Sequence, residues 1–253
     1  MENRNAIKNR MKTIEETKQM ASVMELSASA AIHRAQKEVK ECEPVFLASE
    51  EQKKYYGFAP FTRQGDGDEW VVVAGGDRGL AGGYYVRLFE QVKKEQKIYA
   101  LGKKTAEFAS SRGYHLANPG ITRLRECDSA ANFLLEQFLK GTISKLFLVT
   151  PTMAGETNWK QLLPLEPAKD CGIYDPSPAL AAERFVAFYL EAQLQYAIKQ
   201  AAMCEFAARR EAMGAAANNA EEMLEQLTLS YHAARQAAIT RELVEIVAGA
   251  EEL

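Results

Sequence analysis

The sequence predicts an α/β protein in which long N- and C-terminal helices pair as a coiled coil and a small α/β domain is inserted between them. Three observations carry that expectation. A stretch near the start, free of Gly and Pro, repeats apolar residues at alternating steps of three and four. The last third is a longer, alanine-rich, helix-favouring run. Between the two, short apolar runs alternate with helical patterns. The boundaries expected are 1–55 for the first helix, 56–178 for the α/β domain and 179–253 for the last helix.

The first helix is predicted from Ala6 to Cys42, with Glu43-Pro44 as the first break or kink. Ile7, Met11, Ile14, Ala21, Ala28, Ile32, Ala35, Val39 and Cys42 form its stripe. Lys18 and Glu25 interrupt that seam, and Met24 lies beside it.

In the domain that follows, Trp70–Ala74, Lys97–Leu101 and Lys145–Thr150 read as short buried strands. Tyr84–Lys94, Lys103–Arg112 and Asp128–Leu139 read as helices. Alternation of this kind builds a Rossmann-like domain with a largely parallel sheet. Gln161–Leu165 adds a candidate strand before the proline-rich stretch from Pro164 to Pro178.

The last helix is expected over Ala179 to Ala248, interrupted only by Gly214. Met213, Ala217, Ala220, Leu224, Leu227, Tyr231, Ala234 and Ala238 keep heptad spacing. The seam then steps round to Ile239, Leu243, Ile246 and Ala250. At 1.5 Å per residue this helix is on the order of 100 Å long, too long for a compact domain. Part of it must project, and its stripe needs the N-terminal helix as partner, with the final turns reaching something else.

Charge and motif content exclude several function classes. The net charge of −3 lacks the basic excess of a general nucleic-acid binder. Runs such as Val71–Ala74 and Leu146–Val149 are too short to span a bilayer, and the N-terminus lacks the apolar core of a secretory signal. Cys42, Cys127, Cys171 and Cys204 are scattered, which suits a reducing compartment and offers no metal site. His33, His115 and His232 fall in separate segments and read as surface or packing residues. The adjacent pairs Glu15-Glu16, Glu221-Glu222 and Glu251-Glu252 diverge by about 100° on a helix, so they read as solvated faces rather than acid/base dyads. The segment Gly75-Gly76-Asp77-Arg78-Gly79-Leu80-Ala81-Gly82-Gly83 sits where a phosphate loop would sit, after a strand and before a helix. It has neither the dinucleotide fingerprint nor a Walker lysine, and also reads as a tight connection with close backbone approach.

The residues then carry a resemblance. Ile7-Lys8-Asn9-Arg10-Met11-Lys12-Thr13-Ile14, with Thr17-Lys18-Gln19-Met20 and Met24-Glu25-Leu26, resembles the opening helix of the ATP synthase gamma subunit family. Gly76 to Tyr84 is similar to that family's D-[RK]-G-L-[CA]-G-G signature. Leu101-Gly102-Lys103-Lys104, Leu162-Leu163-Pro164-Leu165 and Tyr174-Asp175-Pro176-Ser177-Pro178 resemble its inner landmarks. The most specific match runs from Asn218-Asn219-Ala220 through Leu227–Tyr231 to the stretch Ala234–Ala250.

The resemblance implies an antiparallel coiled coil rising through a ring of alpha and beta subunits. It further implies an α/β foot against the epsilon subunit and the c-ring, on the cytoplasmic face of a membrane. It implies a rotor shaft with no catalytic residue, cofactor or metal of its own. By motif match Arg235 and Gln236 fall where the shaft meets the beta subunits, with Thr240 and Glu242 beside them and Met24 on the first helix. Tyr174 and Asp175 fall at the foot that meets epsilon or the c-ring. The chain departs from the family pattern in a shorter middle domain. Ser22 and Ala31 stand where lysines are common, and Gly75-Gly76 stand in place of hydroxyl residues. Its end, Gly249-Ala250-Glu251-Glu252-Leu253, is acidic. A stand-alone coiled-coil adaptor and a nucleotide-binding α/β protein are the rival readings.

Overall fold

Valines and isoleucines in short runs form strands because branched side chains pack well on a pleated surface buried on both sides. The computed structural model describes residues 4–63, 65–118, 124–167, 174–175 and 177–251. Along them run α1 (Arg4–Gln52), β1 (Asp68–Ala74), α2 (Tyr84–Leu88), β2 (Lys97–Leu101) and α3 (Lys103–Ser111). They continue with β3 (His115–Leu116), α4 (Cys127–Leu139), β4 (Ile143–Pro151), β5 (Thr157–Leu163) and α5 (Pro178–Glu251).

The strands form one sheet in the order β3-β2-β1-β4-β5. β1 lies parallel to β2, with Val72 opposite Tyr99, and parallel to β4, with Val72 opposite Leu148. β2 and β3 are parallel, whereas β5 runs antiparallel to β4. Alternation along β1 divides the core. Trp70, Val72 and Ala74 face α4 and α5, against Leu134, Tyr189, Leu190 and Leu194. Val71 and Val73 face α2 and α3, against Leu88, Ala106 and Ala109. Helices thus cover both faces, as a parallel sheet requires.

The chain forms two compact units. The larger comprises Ala28–Arg209 and holds the sheet. Within it α1 and α5 run antiparallel: Phe46 stacks on Tyr196 at 4.1 Å, and Glu38 pairs with Lys199. The Gln193 amide, fully buried, donates to Ser49 Oγ at 3.1 Å and to Glu50 Oε1 at 2.9 Å. Lys160 of β5 joins this cluster, donating to Gln193 Oε1 at 2.9 Å and pairing with Glu50 at 2.5 Å. Burial would raise the Glu50 carboxyl, but Lys160 and Lys53 outweigh it and hold it below the usual range.

The smaller unit comprises Met1–Ser27 and Arg210–Leu253. Its helices are also antiparallel, with Glu25 beside Gly214 and Lys18 bonded to Glu221 at 3.0 Å. The predicted heptad stripes face inward: Ile7, Ala21, Ala217 and Ala220 are buried, and Met11, Ile14, Leu224, Leu227 and Tyr231 are half-buried. The expected continuation at Ile239, Leu243 and Ile246 is instead exposed, because the first turn of α1 lies opposite Ala234–Glu242. Lys18, expected to interrupt the seam, instead crosses it to Glu221, and that hydrogen bond holds its ammonium above the ordinary value.

Three sequence expectations need correcting. Pro44 does not break the first helix, which continues to Gln52. The proline removes one N–H, a cost of about 3 kcal/mol in a helix interior, but Phe46, Ser49 and Glu50 beyond it are held by Tyr196 and Gln193. The helix expected over 84–94 stops at Leu88, because Phe89 and Val92 turn into the core on tight backbone bonds. The last strand begins at Thr157 and ends before Pro164, which has no N–H to donate. The two-residue β3 has too little pattern to be read from sequence. Cys171 and Pro176 lie outside the described residues, as does Glu252.

Candidate functional site

In the smaller unit, residues next to the seam face outward. Arg235 and Gln236 follow the half-buried Ala234 and are exposed. One turn on, Thr240 is exposed and its hydroxyl donates to the Gln236 carbonyl at 3.0 Å, so it lies back along the helix. Glu242 is exposed at the rim of a cleft between Ala234–Glu242 and the first turn of α1, where Arg4, Asn5 and Ile7 lie opposite. These four residues share two turns of α5. Met24 does not join them: it is half-buried beside the Glu25–Gly214 level, some twenty residues or roughly 30 Å along the pair from Arg235.

Large apolar side chains also face outward here. Met20, Val23 and Leu26 are 62%, 68% and 75% exposed on α1. Leu243, Val244 and Ile246 are 57%, 61% and 68% exposed near the end of α5. Periodicity places Leu243 and Ile246 on a stepped seam whose final turns reach something beyond the first helix. Met20, Val23, Leu26 and Val244 lie off the seam, and periodicity alone assigns such positions to no surface.

In the larger unit, Tyr174 is tied inward. Its hydroxyl donates to the Tyr55 carbonyl at 2.6 Å and its ring meets the edges of Tyr56 and Phe58. Asp175 beside it is exposed. The glycine-rich loop after β1 is also tied down. The Asp77 carboxylate caps α3 by accepting the Lys103 N–H at 2.8 Å. The Gly76 carbonyl accepts the Lys104 N–H at 3.2 Å, and the Arg78 carbonyl accepts the Tyr85 hydroxyl at 2.9 Å. A Cβ on Gly75 would lie 2.0 Å from Thr105 Oγ1, so the close approach demands glycine. From α5, Glu205 accepts the Arg78 N–H at 3.2 Å and Arg209 Nε donates to the Gly79 carbonyl at 3.1 Å. Glu205 and Arg209 also pair with each other, both buried. Burial lifts the Glu205 carboxyl above the usual range despite Arg209 and the loop N–H groups. Sequence reading did not single this pair out, although charges four apart amid Ala201, Cys204 and Ala208 mark it.

Among the described residues no cluster of His, Cys, Asp and Glu could hold a metal ion, and no helix is long and apolar enough to cross a membrane. A family profile described as "ATP synthase" matches residues 3–253. The ATP synthase gamma chain of Halothermothrix orenii is 32% identical over 286 aligned positions, covering 100% of both chains. The chain belongs to the ATP synthase gamma-chain family. As a gamma chain it is a subunit of an ATP synthase complex. The gamma chain of Ruminococcus albus is 32% identical, with 97% of each chain covered. The Halothermothrix alignment has more positions than the 253 residues here, so it opens gaps in this chain.

The gamma-chain fold recurs at low identity. A chain of the Euglena gracilis mitochondrial ATP synthase rotor superposes with a TM-score of 0.68 at 13% identity, covering 93% of this chain and 98% of that one. A chain of the Tetrahymena thermophila central stalk and c-ring gives 0.56 at 15% identity, covering 78% and 99%.

Proposed function

We propose that this gamma chain is the turning shaft of its synthase, a non-catalytic subunit that couples rotation of an ion-driven c-ring to conformational change in the beta subunits. One observation carries the reading: the helical unit exposes large apolar and polar residues off its seam, as a surface meant to bear on other chains would. An asymmetric shaft contacts three identical catalytic subunits differently, and each orientation favours a different conformation in each of them. Arg235, Gln236, Thr240 and Glu242 supply polar contacts to beta subunits, and Met24, with Met20 and Val23, supplies an apolar contact lower on the pair. Asp175 faces the epsilon subunit or the c-ring, and Tyr174 braces it from behind. The three-part division at 55 and 178 then separates two shaft helices from a foot. The chain is held peripherally at the cytoplasmic face of the membrane through the complex. The glycine-rich loop has its backbone groups engaged inside the chain, which argues against the nucleotide-binding reading.

Reconstitution tests this. The chain is mixed with the alpha and beta subunits of its own organism, and complex formation and ATP hydrolysis are measured. A complex with one copy of this chain and sustained hydrolysis is expected, weakened when Arg235→Ala and Gln236→Ala are combined. Failure to assemble with competent subunits would sink the shaft reading and favour the adaptor.

A further inference from the structure

The loop after β1 has the layout of an anion site, and the anion in it belongs to the chain itself. In α/β folds the turn from a parallel strand toward a helix presents backbone N–H groups that cradle phosphate. Here the Glu205 carboxylate enters from α5. Its Oε1 accepts the Arg78 N–H at 3.2 Å, and the Asp77 N–H donates to the same carboxylate. Gly76 leaves the room for it, since a Cβ there would lie 1.7 Å from Glu205 Oε2. Arg209, one turn along α5, completes the arrangement by pairing with Glu205 and bonding the Gly79 carbonyl at 3.1 Å. The two residues are only 4% and 6% exposed, so water does not substitute for these bonds.

We propose that Glu205 is a built-in substitute for a bound anion, a positioning residue that with Arg209 keys the Gly75–Gly83 loop to α5 so that loop and helix turn as one body. Its functional consequence rests on the shaft reading. Apolar packing between sheet and helix is non-directional and resists separation better than sliding. Hydrogen bonds to fixed backbone groups have distance and angle requirements, and they resist the slide. A shaft that carries torque needs the second kind of contact where helix meets foot.

Amide exchange on the full-length chain tests the keying directly, in wild type, Glu205→Ala and Gly76→Ala. The last of these evicts the carboxylate without removing it. The Asp77 and Arg78 amides are expected to exchange about tenfold faster in both variants, the scale of one lost charge-assisted hydrogen bond. The strand amides of Val71–Val73 should lose no more protection than the drop in global stability read by urea unfolding. Added formate should restore protection in Glu205→Ala, where it can enter the vacated site. Should Glu205→Ala loosen the strand as well, Glu205→Gln is read instead, since it keeps the shape and one acceptor. Its loop amides are then expected to speed up by a smaller factor. Unchanged loop exchange in a folded variant, or no response to formate, overturns the proposal. In the whole synthase reconstituted into vesicles, ion pumping per ATP hydrolysed should fall severalfold in Glu205→Ala while hydrolysis persists, and full coupling there would overturn the torque-bearing part. If the wild-type chain forms no active complex, the shaft reading fails, and the exchange result still decides whether the loop is keyed.

Discussion

One helix, α5, leads two different lives. Across Ala182–Arg209 it is enclosed: Ala182, Val186, Tyr189, Leu190, Leu194, Ala197 and Ala201 are all at 0% exposure. Across Arg210–Glu251 it has α1 on one side only, and Leu229, Leu243 and Ile246 reach 72%, 57% and 68%. Alanine content hardly changes between these stretches, although the aromatic residues are concentrated in the first, at Phe185, Phe188, Tyr189, Tyr196 and Phe206 against Tyr231 in the second. What also differs is the number of neighbours, and a helix held by one neighbour has little besides its seam and its own hydrogen bonds to stabilise it. The difference locates where stability is internal and where it must come from other subunits.

The largest effect that would sharpen this contrast is in amide exchange of the isolated chain. Residues Ala216–Val247 should exchange orders of magnitude faster than Ala182–Arg209, because local opening there exposes little new apolar surface. Equal protection along the whole helix would break the comparison. Removing one partner of the buried pair comes next: Glu205→Ala or Arg209→Ala should each lose about 3–5 kcal/mol in urea unfolding, by stranding the other charge. Replacing both at once with apolar residues of similar size should cost far less. Leu194→Ala, fully enclosed, should cost about 2–5 kcal/mol. Leu229→Ala on the open stretch should stay within about 0.5 kcal/mol by the same measurement.

The smallest effect concerns pH, and it separates two carboxylates of the larger unit. Glu50 is held below its unfolded value, so it adds stability above that value and loses it as pH falls through the lower, folded one. Glu205 is raised, so the folded chain takes up its proton first, and the cost of its charge is relieved as pH falls from the folded toward the unfolded value. Unfolding measured across the acid range should therefore show Glu50→Gln losing less stability on acidification than wild type. Glu205→Gln should lose more. The same sign in both variants would contradict the assignment.

Periodicity made much of this architecture legible from sequence. Strand runs such as Lys97–Leu101 and the heptad positions at Ala21, Ala28, Ala217 and Ala220 are local patterns, and they appear in the fold where the spacing puts them. What escaped was decided by distant partners. Pro44 sits inside a helix because Tyr196 and Gln193 hold the turns beyond it, and no window around Pro44 contains either residue. The same holds for Glu205, whose carboxylate meets Arg78 across 127 residues of sequence. At the shaft end, Arg235 and Gln236 could be named from motif, and the exposed neighbours Leu243 and Ile246 could not be distinguished from seam residues.

The seam of the smaller unit is closed at its middle by Ala21, Ala217 and Ala220. An alanine side chain has no rotamers to lose or recover, so ordering it adds no side-chain entropy cost. If load prises this stretch apart, nothing has to be sorted before it shuts again, whereas interdigitated leucines would have to find their wells anew. Such a joint recoils along the path by which it opened, with little hysteresis, and returns the work put into it on each cycle.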